Sequence, residues 1–174
     1  GGLDLAGVDA LVDFYIEGGS HGLFAVCQSS EMFFLDDDER LQLARRVVEH
    51  VARRVPVVAT ATFGGAVAAQ AAFVRRIADT GVDAVIVLPN QLAVPDEGEH
   101  DLRPRLEQLL AETGDIPLGL YECPQPYHRV LSPDIVAWAA ATGRFRYIKD
   151  TARDPARIEP KVQAAAGSPL ALFN

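Results

Sequence analysis

Short, wholly apolar segments alternate along the chain with longer segments whose apolar residues recur at helical spacing. The first helical segment, residues 5–17, ends at Gly18 and Gly19, and the same order then repeats to the end of the chain. Strands that are apolar on both faces and separated by amphipathic helices indicate parallel βα units, with helices covering the sheet. The predicted strands are residues 23–27, 55–60, 84–88, 118–122, a segment within 144–151, and 169–173.

This order of elements predicts an α/β fold, a (β/α)8 TIM barrel of which six of the eight strands are present. Such barrels typically have about 250 residues, whereas this chain has 174 residues, begins on a helix and stops on a strand. We therefore expect residues 1–174 to form a single barrel domain that lacks the first and last barrel strands and any C-terminal helices. A doubly wound open sheet is the alternative, although no G-x-G-x-x-G motif follows any predicted strand.

Several predicted helices carry residues that mark their ends. Asp36 with Glu39 three residues later has the form of a capping box, and Ser132 before Pro133 has the form of an N-cap and first helical residue. Pro160 lies inside the last helical segment, where it predicts a kink or a short first turn.

Composition narrows the class of protein. Hydrophobic residues make up 49% and charged residues 23% of the chain, as in soluble globular proteins, and the formal net charge of -8 argues against nucleic-acid binding. No apolar run is long enough to span a bilayer and no signal peptide is recognisable, so we expect a cytoplasmic protein that does not bind membranes. Cys27 and Cys123 lie far apart without a C-x-x-C motif, so neither a metal site nor a disulfide framework is predicted.

In a barrel of this kind the functional residues lie at the carboxyl ends of the strands. Each polar residue there also has an ordinary structural explanation, such as a hydroxyl that bonds loop backbone or a tyrosine packed in the core. The candidates are Gln28, Ser29, Ser30, Glu31, Thr60, Thr62, Asn90, Gln91, Tyr121, Glu122, Lys149 and Thr151.

Lys149 is the most informative of these residues, because the chain contains only one other lysine, Lys161. An amine can lose its proton and attack a carbonyl, which a guanidinium cannot do. The alternative is a half-buried lysine that extends to the surface.

Tyr121, on the preceding strand, would supply a hydroxyl for the proton transfers of Schiff-base formation. Because a tyrosine pKa near ~10 prevents it from acting as a base unaided, Ser29 or Ser30 is expected to serve as a relay.

Seven segments of the chain, taken together and in order, carry a family resemblance. They are Ile16-Glu17-Gly18-Gly19 before Gly22-Leu23-Phe24, Glu31 before Asp38-Glu39-Arg40, Val55-Pro56-Val57-Val58-Ala59, Gly81-Val82-Asp83-Ala84-Val85, Tyr121-Glu122-Cys123-Pro124, Leu131-Ser132-Pro133 and Ile148-Lys149-Asp150-Thr151. In these segments the chain resembles the dihydrodipicolinate synthase and N-acetylneuraminate lyase superfamily of class I, pyruvate-type aldolases. The resemblance covers nearly the whole chain.

The resemblance implies a role for each candidate. Lys149 corresponds to the Schiff-base lysine, and Tyr121 to the proton-shuttling tyrosine of the family's Y-x-x-P motif. The segment from Gln28 to Glu31 falls where the family has a G-[ST]-T-G-E loop that holds the substrate carboxylate. Only Ser29 and Glu31 keep the residue type expected there. Gln28, Ser29, Ser30, Thr151 and Arg129 are therefore the substrate-binding candidates.

Two departures from the family pattern bear on the substrate. The segment Leu88-Pro89-Asn90-Gln91 stands where dihydrodipicolinate synthases carry T-P-Y-Y, so both tyrosines are absent. Pro126 occupies the position at which those synthases place a carboxylate-binding arginine, and Arg129 lies three residues later. Tyr127, His128 and Arg129 are either a different recognition patch or a solvated loop.

The function expected from these residues is that of a Schiff-base lyase. Its reaction would be aldol cleavage or condensation, or a related dehydration, of a hydroxylated 2-oxo acid, with no cofactor and no metal. Dihydrodipicolinate synthase proper is one alternative, and a non-catalytic barrel relative is the other. The resemblance also implies a homotetramer or homodimer.

Overall fold

The computed structural model describes residues 2–174, which form one parallel sheet with helices between successive strands. The strands are β1 Leu23–Phe24, β2 Val57–Thr60, β3 Ala84–Val87, β4 Leu118–Tyr121, β5 Phe145–Lys149 and β6 Ala171–Phe173. The helices are α1 Leu5–Glu17, α2 Asp37–Val51, α3 Val67–Ala78, α4 Glu99–Glu112, α5 Pro133–Ala141 and α6 Pro155–Ala165. Two short 3-10 turns, Gln28–Ser30 and Pro89–Gln91, follow β1 and β3.

The strand order is β1-β2-β3-β4-β5-β6, and every neighbouring pair is parallel. This order excludes the doubly wound alternative, because a doubly wound sheet reverses its order at a switch point. A sequential parallel order with a helix after each strand is the arrangement of a (β/α)8 barrel. The six predicted strands and the partial TIM-barrel fold are therefore confirmed.

The strands are shorter than the apolar runs that predicted them. Residues 23–27 were expected to form one strand, but β1 ends at Phe24 and the chain then turns into a 3-10 helix. Ala25 N–H still donates to the Val58 carbonyl at 2.8 Å and the Val26 carbonyl accepts from Thr60 N–H at 3.0 Å, so the buried run stays hydrogen-bonded to β2 before it turns.

The capping signals are confirmed in atomic detail. Asp36 accepts a hydrogen bond from Glu39 N–H at 2.9 Å, while the Glu39 carboxylate accepts one from Asp36 N–H at 3.0 Å. The Ser132 hydroxyl accepts a hydrogen bond from Ile135 N–H at the start of α5. Helix α6 runs through Pro160 as one helix, at the cost of the hydrogen bond that a proline cannot donate.

The core lies between the sheet and its helices, and the inner face of the sheet borders a cavity. Gly119 of β4 allows Ile86 and Tyr147 to approach the middle of that inner face. A Cβ at this position would lie 2.5 Å from Ile86 Cδ1 and 3.1 Å from the Tyr147 carbonyl oxygen. No helix within residues 2–174 has the length and apolar character needed to cross a membrane.

We expect Gly119→Ala to lower the free energy of unfolding by about 1–3 kcal/mol, because the added methyl overpacks the inner face of the sheet. Gly22→Ala is the matched control, since its new methyl would meet only the Pro56 carbonyl oxygen at 3.4 Å. Urea unfolding of both variants measures the difference. Equal stability of the two variants would contradict the close packing described for Gly119.

Candidate active site

Lys149 and Tyr121 lie side by side at the carboxyl ends of β5 and β4. They are register partners in the parallel sheet, so their side chains leave the same face. Lys149 Nζ lies 4.5 Å from the centroid of the Tyr121 ring and 5.6 Å from that of Phe24. The two aromatic rings themselves pack edge to face. The amine therefore packs against two aromatic rings at the strand ends.

Lys149 lines a space of about 540 Å³ on the inner side of the sheet, between the edge strands β1 and β6, which a closed (β/α)8 barrel would enclose with two further strands. Its lining is mostly apolar and comprises Ser20, His21, Gly22, Leu23, Phe24, Pro56, Val58, Ile86, Tyr147, Lys149, Phe173 and Asn174. Within residues 2–174 no carboxylate lies at ion-pair distance from Lys149. The lysine is thus partly exposed on the inner side of the sheet and makes no ion pair within the described residues.

Tyr121 is almost fully buried, and its hydroxyl donates a hydrogen bond to Gln28 Oε1 at 3.3 Å. The Cys123 thiol lies 4.0 Å from the same oxygen. Burial, and then the neighbouring Cys123 thiol, raises the pKa of Tyr121 well above its usual range. The phenol therefore stays protonated at neutral pH, with its proton aimed at Gln28.

The two serines of the loop after β1 have different surroundings. The Ser30 hydroxyl accepts a hydrogen bond from Cys27 N–H at 2.8 Å and donates to the Ala25 carbonyl at 2.7 Å. The Ser30 hydroxyl is therefore engaged in stabilising the backbone of the 3-10 turn, which is a structural role. The Ser29 side chain is exposed, and it has no hydrogen-bond partner within the described residues 2–174. Of the two, only Ser29 presents a free hydroxyl.

Thr151 lies next to the site but its hydroxyl is also engaged. It donates to the Glu122 carbonyl at 2.6 Å, so it can only accept from His128 Nε2 at 2.7 Å. This contact joins the loop after β4 to the loop after β5. His128 is accordingly neither a free recognition group nor simply solvated.

Arg129 joins the loop after β4 to the loop after β3. Its guanidinium donates to the carbonyls of Val94 and Glu97 at 2.7 and 2.8 Å, and to the Tyr127 hydroxyl at 3.0 Å. It does not line the cavity that contains Lys149. The structure therefore does not bring Arg129 together with the lysine and the tyrosine.

Asn90, in the segment that departs from the T-P-Y-Y pattern, is buried beneath the same loop. Its Nδ2 lies 2.7, 2.9 and 2.6 Å from the carbonyl oxygens of Cys123, Gln125 and Tyr127. The residue thus holds the backbone that follows Tyr121.

Glu122 is one of the strand-end candidates, whereas Lys161 and Asp150 are not among the residues expected to have a functional role. The Glu122 side chain points to the helix side of the sheet, where it is fully buried. There Lys161 Nζ binds Glu122 Oε1 and, at 2.5 Å, Asp150 Oδ2. The available signal was strand alternation, because Glu122 and Asp150 directly follow Tyr121 and Lys149 and must point the opposite way.

Sequential βα units with a lysine and a tyrosine paired at adjacent strand ends define a (β/α)-barrel protein whose site lies where such barrels carry their chemistry. The family model described as the dihydrodipicolinate synthetase family matches residues 1–174. The chain belongs to this family, as its seven segments indicated.

Curated relatives include both dehydratases and synthases. The chain is 41% identical over 133 residues to a probable 5-dehydro-4-deoxyglucarate dehydratase of Streptomyces avermitilis, an alignment that covers 76% of this chain and 38% of the relative. It is 32% identical to an L-2-keto-3-deoxyarabonate dehydratase of Azospirillum brasilense, over 86% of this chain and 48% of the relative. It is 31% identical to a 4-hydroxy-tetrahydrodipicolinate synthase of Pseudoalteromonas atlantica, over 91% and 53%. The chain spans roughly half the length of such relatives, or less.

Solved structures of the family superpose on nearly the whole chain. A prophage protein of the dihydrodipicolinic acid synthase family from E. coli K12, solved in complex with pyruvate, matches with a TM-score of 0.84 at 27% identity, covering 99% of this chain and 58% of its own. Dihydrodipicolinate synthase from Bacillus anthracis matches with a TM-score of 0.85 at 23% identity, over 99% and 58%, and supports the fold.

We expect Tyr121 to resist ionisation in an alkaline titration followed by phenolate absorbance. A raised pKa means that the neutral hydroxyl contributes stability at pH values below the usual tyrosine pKa of about 10, and that this contribution is lost as the pH rises further. Tyr121→Phe should therefore leave the absorbance change up to about pH 11 unaltered. Tyr15→Phe, which removes a tyrosine that is 47% exposed, should lower it. A lower amplitude in Tyr121→Phe would contradict the described burial.

Proposed function

We propose that the protein is a class I lyase in which Lys149 forms a Schiff base with the carbonyl carbon of pyruvate or another 2-oxo acid. The observation that carries this proposal is the register pairing of Lys149 with Tyr121 at the carboxyl ends of β5 and β4, with Lys149 facing the inner side of the sheet. Family membership supports lyase chemistry, since relatives of this chain are named as dehydratases and synthases.

In the first step the Lys149 amine attacks C2 of the 2-oxo acid, and the carbonyl oxygen takes the proton that the attacking nitrogen releases. The resulting carbinolamine loses that oxygen as water when a second proton reaches it. Tyr121 supplies this proton, because its buried hydroxyl stays protonated and its ring packs against the amine, 4.5 Å from ring centroid to Nζ. The phenolate that forms is strongly basic in its buried setting, so it recovers a proton at once from the substrate.

The imine then activates the adjacent carbon. Loss of a proton from C3 gives an enamine, and a hydroxyl on C4 leaves as water when it is protonated. Water finally hydrolyses the conjugated imine and frees Lys149, so the net change is the loss of one water. We favour this dehydration because the 41% and 32% identical relatives are named as dehydratases of deoxy-keto sugar acids.

The loop after β1 is proposed to hold the substrate carboxylate. The exposed Ser29 hydroxyl is its free donor, whereas Ser30 keeps the loop in shape. Gln28 takes the place of a hydroxyl residue in the family loop and accepts the hydrogen bond of Tyr121. Since an amide oxygen accepts this hydrogen bond but does not relay a proton, we infer that Gln28 orients the Tyr121 hydroxyl and that the phenol exchanges its proton directly with the substrate.

The second candidate is 4-hydroxy-tetrahydrodipicolinate synthase, which the 31% identical relative of Pseudoalteromonas atlantica favours. Against it stand Asn90 and Gln91 in place of two tyrosines, and Pro126 in place of an arginine. The nearby Arg129 is bound to backbone carbonyls of the loop after β3. A non-catalytic barrel relative is the third possibility.

The working protein is proposed to be a cytoplasmic homo-oligomer, a homotetramer or homodimer, with a complete barrel. Both edge strands of the six-stranded sheet have an unpaired side within residues 2–174, and family members with solved structures are longer than this chain. A closed barrel would remove those edges.

We expect pyruvate and sodium borohydride to attach one reduced pyruvyl group to the protein at its full natural length, detected by mass spectrometry. Peptide mapping should place it on Lys149, because the only other lysine of this chain, Lys161, is buried. Lys149→Ala should give no adduct, and Tyr15→Phe should label like the wild type. Failure of the wild type to react with pyruvate or a panel of 2-oxo acids would favour the non-catalytic relative.

We expect the wild type to dehydrate 2-keto-3-deoxy sugar acids in a steady-state assay. Tyr121→Phe should lower kcat by about 10²–10⁴-fold, the usual contribution of a positioned general acid. Tyr15→Phe serves as the matched control, with unchanged kcat. Turnover of pyruvate with aspartate semialdehyde, and not of the sugar acids, would select the synthase instead.

A further inference from the structure

A buried cluster of three charged residues, Glu122, Asp150 and Lys161, lies on the helix side of the strand ends that carry Tyr121 and Lys149. Glu122 and Asp150 directly follow the tyrosine and the lysine in sequence. Their carboxylates both bind Lys161 Nζ, which reaches them from α6. All three side chains are fully buried.

Every oxygen of the two carboxylates has a partner. Glu122 Oε1 also accepts from Leu131 N–H at 2.9 Å, and Oε2 accepts from Thr151 N–H at 2.9 Å. Asp150 Oδ1 accepts from Ala152 N–H at 2.8 Å and from the Asn174 amide at 3.1 Å. Besides binding Lys161, the carboxylates of Glu122 and Asp150 therefore hold the backbone segments that follow β4 and β5.

Desolvation makes this arrangement costly, so it is not explained by stability alone. A buried ion pair is often no more stabilising than well-packed apolar residues of the same volume. Two carboxylates facing one ammonium also leave an excess of one negative charge in the core. The cluster instead restricts the position of the strand ends, because one ammonium that binds both carboxylates permits little variation in where they lie.

We propose that Lys161 is a positioning residue for the Lys149 and Tyr121 pair. The backbone ladder brings the strand ends together, with Glu122 N–H donating to the Lys149 carbonyl at 3.1 Å. By binding the carboxylates next to Tyr121 and Lys149, Lys161 holds these ends in one orientation and with them the amine and the phenol. This inference rests on the proposed Schiff-base function. Its chemical reason is that displacement of reacting groups by about 1 Å lowers rates by as much as about 10²-fold.

The test compares Lys161→Met with a destabilised control in the protein at its full natural length. Leu106→Ala is that control, because it empties a fully buried position on α4 away from the cluster. Both variants are assayed below their melting temperatures, so that the folded fraction is the same. We expect Lys161→Met to lower kcat and the rate of imine trapping at saturating pyruvate by about 10–100-fold with little change in KM, and Leu106→Ala to leave them near the wild-type values.

A second variant covers the case in which Lys161→Met does not fold. The combination Lys161→Met, Glu122→Gln and Asp150→Asn removes the buried charges together with the bridge, and it should be slow for the same reason. Wild-type kcat and trapping rate in either folded variant, or an equal loss in Leu106→Ala, would overturn the proposal.

Failure of the proposed function is recognised separately, because the wild type itself would then form no adduct. The alkaline titration of Tyr121 decides the inference in that case. Loss of the Lys161 bridge should let the end of β4 move and the phenol ionise at lower pH, while Leu106→Ala should titrate like the wild type. An unchanged Tyr121 titration in Lys161→Met would overturn the positioning role.

Discussion

The site depends on the register between β4 and β5. Because Tyr121 is paired with Lys149, strand alternation places both on the cavity side and places the next two residues, Glu122 and Asp150, on the helix side. A shift of one residue in either strand would send either Lys149 or Tyr121 into the helix layer. The alignment of two backbones thus determines where this pair lies and where the charged side chains behind it lie.

The surrounding loops are joined to one another at several points. Arg129 connects the loops after β3 and β4, Asn90 supports the backbone after Tyr121, and Thr151 with His128 connects the loops after β4 and β5. Such contacts reduce the conformational freedom of the loops beside Tyr121 and Lys149. Loops that are held in this way lose less conformational entropy when a ligand binds next to them.

The elements of the fold that depend on local pattern were predictable. Strand number, the capping box at Asp36 and the N-cap at Ser132 each follow from residues that are close in sequence, and the structure contains all of them. The contacts of Arg129 with Glu97 and of Lys161 with Glu122 were not predictable, because they span 32 and 39 residues and depend on where a loop or helix crosses the strand ends. Ser30 was ambiguous for another reason: the path of its loop, altered by Cys27 and Gln28, decides whether its hydroxyl is free.

Because the chain carries arginine at most of its basic positions, few lysine amines are available to react with carbonyl compounds. Arginine supplies nearly all the positive charge of this chain, and one of its two lysines is sealed in the core. Lys149 is therefore the side-chain amine of residues 2–174 that remains accessible to an aldehyde or a sugar in solution. Within residues 2–174 no other exposed lysine competes with Lys149 for glycation or acylation.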